Sequence, residues 1–404
     1  GNFVNDVSGN IHATAAAAGT NPGSVGIYIK NGLADNKGTI TSDYVGLYAE
    51  KDSSLASSST IADHTGTITI NNGIGIYAKD TGTQINLNAG GGINGTANGL
   101  SGVMAYDKAS VKLAGTNISL TGDQSNAIIL GNSTLNTDKS VLDLNSGNIT
   151  VGKEGTAIYS KNGIINIAGG YTGLITLGEK GTGVYADKDT AVSAGTLETV
   201  YSHGTNKGVG IFYDGGIQEN KVTIKQHAGN NNLINIYAQD ITLINNADQE
   251  VSQNGIGIFV KGPGLATSVE NKKTLSLTGT NSVGIVTEAG SAVTGIGKIA
   301  GINGKHDKIG VYVKGGDISG TAGYEFDIDG GIGIYLNNAV SYTGTMELKG
   351  GVYDDSLNKY RAIGILASSS FGTGTIAAGI DMTGSGGIGI YQESGTDITY
   401  SGKL

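Results

Sequence analysis

Gly73-Ile74-Gly75-Ile76-Tyr77-Ala78-Lys79-Asp80 recurs, in near-copies, from one end of the 404-residue chain to the other. Close versions are Lys180-Gly181-Thr182-Gly183-Val184-Tyr185-Ala186-Asp187-Lys188 and Asn254-Gly255-Ile256-Gly257-Ile258-Phe259-Val260-Lys261. Looser ones are Val103-Met104-Ala105-Tyr106 and Ala127-Ile128-Ile129-Leu130. Fifteen copies are found, centred between residues 26 and 389, at a mean spacing of about 26 residues. A fixed period of this size marks a repeat architecture, and it outranks any local reading.

Within the phrase, side chains that alternate along a strand point to opposite faces. The residues before and after the central position are mostly aliphatic, which predicts that both face a core. The central Gly and the aromatic two places on are predicted to share the other face as a Gly–Tyr stripe. Between copies lie two further strand-like pieces. Gln84–Leu87, Ile164–Ile167 and Lys221–Ile224 exemplify the first, and Gly66–Ile70, Asn117–Leu120, Gly173–Leu177 and Thr274–Leu277 the second. Gly, Asn and Asp clusters punctuate them.

Three short strands and three turns per period predict one coil of an all-β, right-handed parallel β-helix (a β-solenoid), with about 15 to 16 coils forming one continuous segment over 1–404. The six-residue beat of a left-handed hexapeptide helix is missing. So are the Leu-Asn ladder of leucine-rich repeats, the longer period of propeller blades and any sustained helical period. A single coil buries about six aliphatic side chains at roughly 2 kcal/mol each. Ordering its residues costs on the order of 40 kcal/mol. Coils are therefore stable only when stacked, as in solenoids generally.

Composition agrees. Glycine supplies 70 residues, proline 2 and tryptophan none, and hydrophobic residues make up 38%, too many for a solvated coil. The net charge of −9 disfavours nucleic acid and anionic membranes. Arg361 is the single arginine, so sites that grip phosphate or carboxylate with a guanidinium fork lose ground. Cysteine is absent, which suits an exported protein without requiring one. No run of about 18 apolar residues is present, and Gly1 does not open a signal peptide, so the chain reads as a piece of a longer mature protein.

Chemistry is sparse. The histidines His12, His64, His203, His227 and His306 lie far apart, without metal-ligand spacing. Gly372-Thr373-Gly374-Thr375 imitates a dinucleotide fingerprint without a βαβ unit, and Asp327-Ile328-Asp329-Gly330 starts like an EF-hand loop but lacks its closing Glu. No catalytic, cofactor or metal residue is assigned. The segment that departs most from the repeat is an insertion near 340–361. It gathers Tyr353, Asp354, Asp355, Tyr360 and Arg361, and binding residues concentrate on such loops over a rigid scaffold. This loop is the candidate partner contact, with Ser53–Thr60 and Tyr201–Lys207 as weaker ones. The tyrosine stripe is either an aromatic platform for sugars or proteins, or a packing device in which each ring covers neighbouring glycine backbone and stacks on the next coil.

The repeated Gly-Ile-Gly-Ile-Tyr-Ala-Lys-Asp phrases at 73–80, 180–188 and 254–261 resemble the passengers of large fusobacterial type V autotransporter adhesins, a group with arginine-inhibitable and galactose-inhibitable members. The resemblance implies a cell-surface protein whose β-helical passenger is exported through a C-terminal β-barrel, neither a signal nor a barrel being part of this chain. It implies coaggregation with other bacteria or binding to a host-cell receptor, protein or glycan, by a monomeric rod. Two other readings stand beside it: a passive stalk that raises a distal tip, and a polysaccharide-active enzyme.

Overall fold

A computed structural model describes residues 2–13, 23–52, 54, 59–132, 139–201, 203, 206–227, 229–262, 267–303, 307–318, 325–338, 341–342, 345–348, 362–377, 379–382 and 387–402. Among them there are strands and no helix, and the strands stack in parallel as a β-solenoid with a spacing of ~26 residues. The described residues hold about 12 recognisable turns, against the 15 to 16 expected from the phrase count; several turns contain residues outside the described set. Each of the fifteen phrases nevertheless falls on a strand. The chain divides into two compact units, Gly1–Ile211 and Phe212–Leu404.

In the first unit a representative turn runs Thr83–Asn88, Gly92–Gly95 and Ser101–Tyr106. Each strand pairs with its equivalent one turn earlier and one turn later: Ile85 opposes Ala62 and Val111, Ile93 opposes Ile68 and Ile118, and Val103 opposes Ile76 and Ile128. Ile85, Leu87, Ile93, Val103 and Ala105 are fully buried. The ladders satisfy the backbone, while the alternating aliphatic residues fill the interior, so each turn completes its neighbour's core.

The phrase does not alternate as expected. Val25 pairs with Val45 and Ile27 with Leu47, but the register skips the glycine between them, and the same skip recurs in later turns. A Cβ built on Gly46 would lie 2.6 Å from the Gly75 carbonyl oxygen and 3.0 Å from a methyl of the core residue Ile68. The glycine therefore faces inward at a bend, crowded by the next turn's backbone, and is not covered by a tyrosine. Because the strand turns there, the residue before the glycine faces outward with the aromatic. Ser101, Asn126, Thr156 and Thr182 occupy that place in later turns of the first unit and are partly exposed, whereas Val45 at the same place is buried.

Two looser copies are also displaced. Met104, not Tyr106, stands opposite Tyr77, and Ile129 stands opposite Met104; Ile128 and Leu130 fill the core on either side. The glycine place in these turns is held by Gly102 and Ala127.

Each corner of the coil carries its own column. Between the third strand and the next first strand lie buried hydroxyls: Thr60 Oγ1 donates to the Glu50 carbonyl (2.7 Å), Thr83 to Lys79 (2.5 Å) and Ser140 to Gly131 (3.1 Å). Between the second and third strands the chain passes through left-handed backbone at Gly99, Gln124, Glu154 and Lys180. There the N–H groups of Gly99, Gln124 and Glu154 donate to carbonyls of the following turn at 2.7–2.8 Å. Between the first and second strands Asn5, Asn36 and His64 form a buried wire.

Further along the chain the strands Gly208–Asn220 and Leu233–Asn245 each carry the phrase into the following first strand without a break. Gly215 and Gly216 (φ +80° each) and Asp240 (φ +52°) bend these long strands where a turn would otherwise end them. Val222–Gln226, expected as a first strand, accordingly serves as a second strand beside Gln249–Val251, the expected role having been taken by the end of Gly208–Asn220. At the corner that follows, Asn220 Nδ2 donates to Asn245 Oδ1 and Asn245 Nδ2 to Asn271 Oδ1, both at 2.6 Å and all three residues buried.

Candidate functional site

The outer face of the third sheet carries columns of aromatic rings, half-buried for the most part, with charged groups beside them. In the first unit Tyr28, Tyr48 and Tyr77 stand in register on successive strands. Their ring centroids are 5.3 and 5.0 Å apart, with tilted planes. Tyr106 lies two places further along its strand, yet its ring reaches to 5.9 Å from Tyr77 and continues the column. Tyr159 and Tyr185 stack nearly parallel at 4.7 Å, and Lys161 Nζ sits 5.7 Å from the Tyr159 centroid, within cation–π range.

Glu50 organises the open end of this column. Its carboxylate accepts from the hydroxyls of Tyr28 (2.5 Å) and Tyr48 (2.8 Å). The ammonium of Lys30 lies 3.5 Å from both Glu50 and Asp52. Burial pushes the Glu50 carboxyl up, but the two phenol hydrogen bonds and Lys30 outweigh it, and the group titrates below its ordinary value. The Tyr28 phenol is correspondingly raised, first by its hydrogen bond to Glu50 and then by burial. Asp52 also accepts from Ser54, which together with Lys30 holds its carboxyl low. The result is a carboxylate kept ionised beneath the exposed phenol of Tyr28 and the half-buried phenol of Tyr48.

In the second unit Phe212, Tyr237 and Phe259 stack at 4.7 and 5.0 Å, and Tyr312 meets Tyr335 edge-on at 5.0 Å. Here Ile332 and Ile363, which precede a glycine, and Leu366, which stands opposite Tyr335, are buried and cluster with the partly buried Ile309, Tyr335 and Ile388. Glu288 bridges Lys261 (3.9 Å) and Lys314 (3.0 Å) alongside.

Tyr353, Asp354, Asp355, Tyr360 and Arg361 lie outside the described residues, as does most of the Ser53–Thr60 stretch. Thr60 itself is a buried corner hydroxyl. In the described part of Tyr201–Lys207 only Tyr201 is buried, and His203, Asn206 and Lys207 are half-buried. Tyr201 is fully buried, donates its hydroxyl to the Asn206 carbonyl (2.7 Å) and lies against His203. His203 bonds to the Leu177 carbonyl at 3.2 Å, and Asn206 donates to Glu179. Among the described residues no group of three His, Cys, Asp or Glu could hold a metal ion, and no helix is long and apolar enough to cross a membrane.

The buried polar columns escaped the sequence reading. They fall in the turns, where Asn is common and a spacing of 25 to 31 residues is easily lost. Lys308 escaped too: its ammonium donates inward to the carbonyls of Leu277 (2.8 Å) and Gly301 (2.9 Å), and burial lowers its pKa.

Comparison with known proteins finds no matching family model, no matching curated protein and no matching solved structure. The class defined by the geometry is a β-solenoid repeat protein with an aromatic and charged outer face.

Proposed function

We propose that the chain is a stretch of a surface-displayed adhesin passenger that offers its outer faces to a receptor on a host cell or another bacterium. The observation that carries this reading is the aromatic column of the third sheet. It is exposed at Tyr28 (53%), flanked by ion pairs, and fixed to a dry core through an unbroken ladder. A solenoid supplies extended surface, and rigid aromatic rings contribute contact area at low conformational cost. The repeated phrase and its resemblance to fusobacterial autotransporter passengers supply the remainder of the reading. In it the chain works outside the cell as a monomer and reaches the outer membrane only through a C-terminal barrel beyond this sequence. It needs no cofactor, engages no nucleic acid and catalyses no reaction.

The ladders at all three corners favour a second role for the same object, that of a stiff stalk. The two separate by measurement. Labelled chain is titrated onto host cells and onto partner bacteria, alongside Tyr28→Ala/Tyr48→Ala and Tyr353→Ala/Tyr360→Ala. The adhesin reading expects saturable binding that at least one double variant reduces on the order of tenfold, as hot-spot aromatics do. Absence of binding by the folded chain leaves the stalk. Turnover of a glycan would displace both.

A further inference from the structure

The chain has 19 tyrosines and no cysteine, so no disulfide can join one turn to the next. The fold nevertheless places identical oxidisable side chains against each other across turns. Tyr28 opposes Tyr48, Tyr48 opposes Tyr77, Tyr159 opposes Tyr185 and Tyr312 opposes Tyr335. The first three pairs have ring centroids 5.3, 5.0 and 4.7 Å apart. Tyr28 is more than half exposed and open to an external oxidant. Glu50, hydrogen-bonded to the hydroxyls of Tyr28 and Tyr48, is placed to take a phenolic proton as an electron leaves either ring.

We propose that the in-register tyrosine column is a site of oxidative modification, at which a haem peroxidase acting with hydrogen peroxide links Tyr28 to Tyr48, and Tyr159 to Tyr185, as dityrosine. Each phenol gives up one electron and its phenolic proton. The two radicals couple through ring carbons ortho to the hydroxyls, and each ortho hydrogen then moves from its carbon to the oxygen of its own ring, which restores both O–H groups. One carbon–carbon bond forms and two carbon–hydrogen bonds break. The two electrons and two protons reduce one hydrogen peroxide to two waters. Rings already in contact couple at high effective concentration, whereas scattered tyrosines must meet by diffusion. The product is a covalent staple between successive turns, and it restrains the unfolded chain as any cross-link does.

The test treats the whole folded chain, at low micromolar concentration, with a plant haem peroxidase and hydrogen peroxide, and maps cross-linked peptides by mass spectrometry. Tyr44 and Tyr391 are the internal comparison. They are similarly exposed (46% and 44%), but Tyr391 opposes Leu366 and Tyr44 lies between strands. The expected result is intrachain Tyr28–Tyr48 and Tyr159–Tyr185 products, exceeding any product of Tyr44 or Tyr391 on the order of tenfold, the advantage of preset geometry. In Tyr48→Phe the Tyr28–Tyr48 product disappears while Tyr159–Tyr185 persists, which also certifies that the variant is folded and the oxidant active. The proposal is overturned if coupling is mainly between molecules, if Tyr44 or Tyr391 dominates, or if no dityrosine forms while added free tyrosine dimerises in the same tube.

Discussion

The imidazole of His64 and the side-chain amide of Asn36 lie 3.0 Å apart inside the first unit, buried and 28 residues apart in sequence. The wire has a direction. Asn5 Nδ2 donates to Asn36 Oδ1 (2.7 Å), Asn36 Nδ2 donates to His64 Nδ1, and His64 Nε2–H donates to the Gly92 carbonyl (3.2 Å). This order needs neutral His64 with its proton on Nε2. A second proton would set an N–H against the Asn36 amide N–H and force the whole wire to reverse.

Burial accordingly lowers the His64 pKa from 6.5 to about 4. Between those values the unfolded chain takes up a proton that the folded chain refuses, so stability falls as pH drops from about 6.5 to about 4. The loss approaches about 3 kcal/mol at the lower end, at 1.36 kcal/mol per unit. Urea unfolding midpoints of the first unit at pH 7 and pH 4.5 measure it. His64→Asn, which continues the amide wire without a titrating ring, flattens this pH dependence; an unchanged slope in that variant rules His64 out as its source.

The asparagine ladder of the second unit gives a sharper contrast. Asn245 is fully buried and joins Asn220 to Asn271, whereas its neighbour Asn246 reaches outward to Glu219. Asn245→Ala strands an amide group on each side in the interior, and each unsatisfied buried group costs roughly 1–3 kcal/mol. Asn246→Ala stays within about 0.5 kcal/mol, as exposed substitutions do. Denaturant titration of the two variants side by side reads the difference.

What was legible in the sequence follows from which forces it records. Ile76, Val103, Ile128 and Ile158 declare themselves because burying them dominates the energy and their period is regular. The facing of Gly46 differs from the expected one because strict alternation assumes a straight strand, and the chain bends there. Tyr106 misled the alignment of its turn because a tyrosine two places late imitates the phrase, while Gly102 marked the true register. The corner ladders were invisible because they depend on which side chains meet across turns, a relation that no single period displays.

The bend makes its own prediction. A methyl on Gly75 would meet the Gly102 carbonyl at 2.6 Å and methyls of both Ile70 and Ile93 at 2.9–3.0 Å, whereas on Gly183 the close contact is the Gly210 carbonyl alone at 2.5 Å. Ala127 and Ala157 already occupy this place elsewhere, so backbone can yield to a methyl when the core leaves room. Gly75→Ala, pinned against two isoleucines, should cost about 2–3 kcal/mol by overpacking, and Gly183→Ala about 1 kcal/mol. Equal losses in unfolding experiments would show that the carbonyl contact alone sets the penalty.

Glu50 tests whether the outer column is an electrostatic unit or only a row of rings. Its carboxyl is held below the usual value against burial by the hydroxyls of Tyr28 and Tyr48 and by Lys30. Tyr28→Phe with Tyr48→Phe keeps both rings and their contacts but removes the two donors, leaving burial opposed by Lys30 alone. The Glu50 carboxyl should then titrate at higher pH than in the wild type, while Asp52, held by Ser54, stays where it was. Carbon-detected NMR titration of the side-chain carboxyls resolves both groups in one experiment. A Glu50 midpoint unmoved by the double substitution would mean that Lys30 alone holds the charge, and that the phenols contribute packing without chemistry.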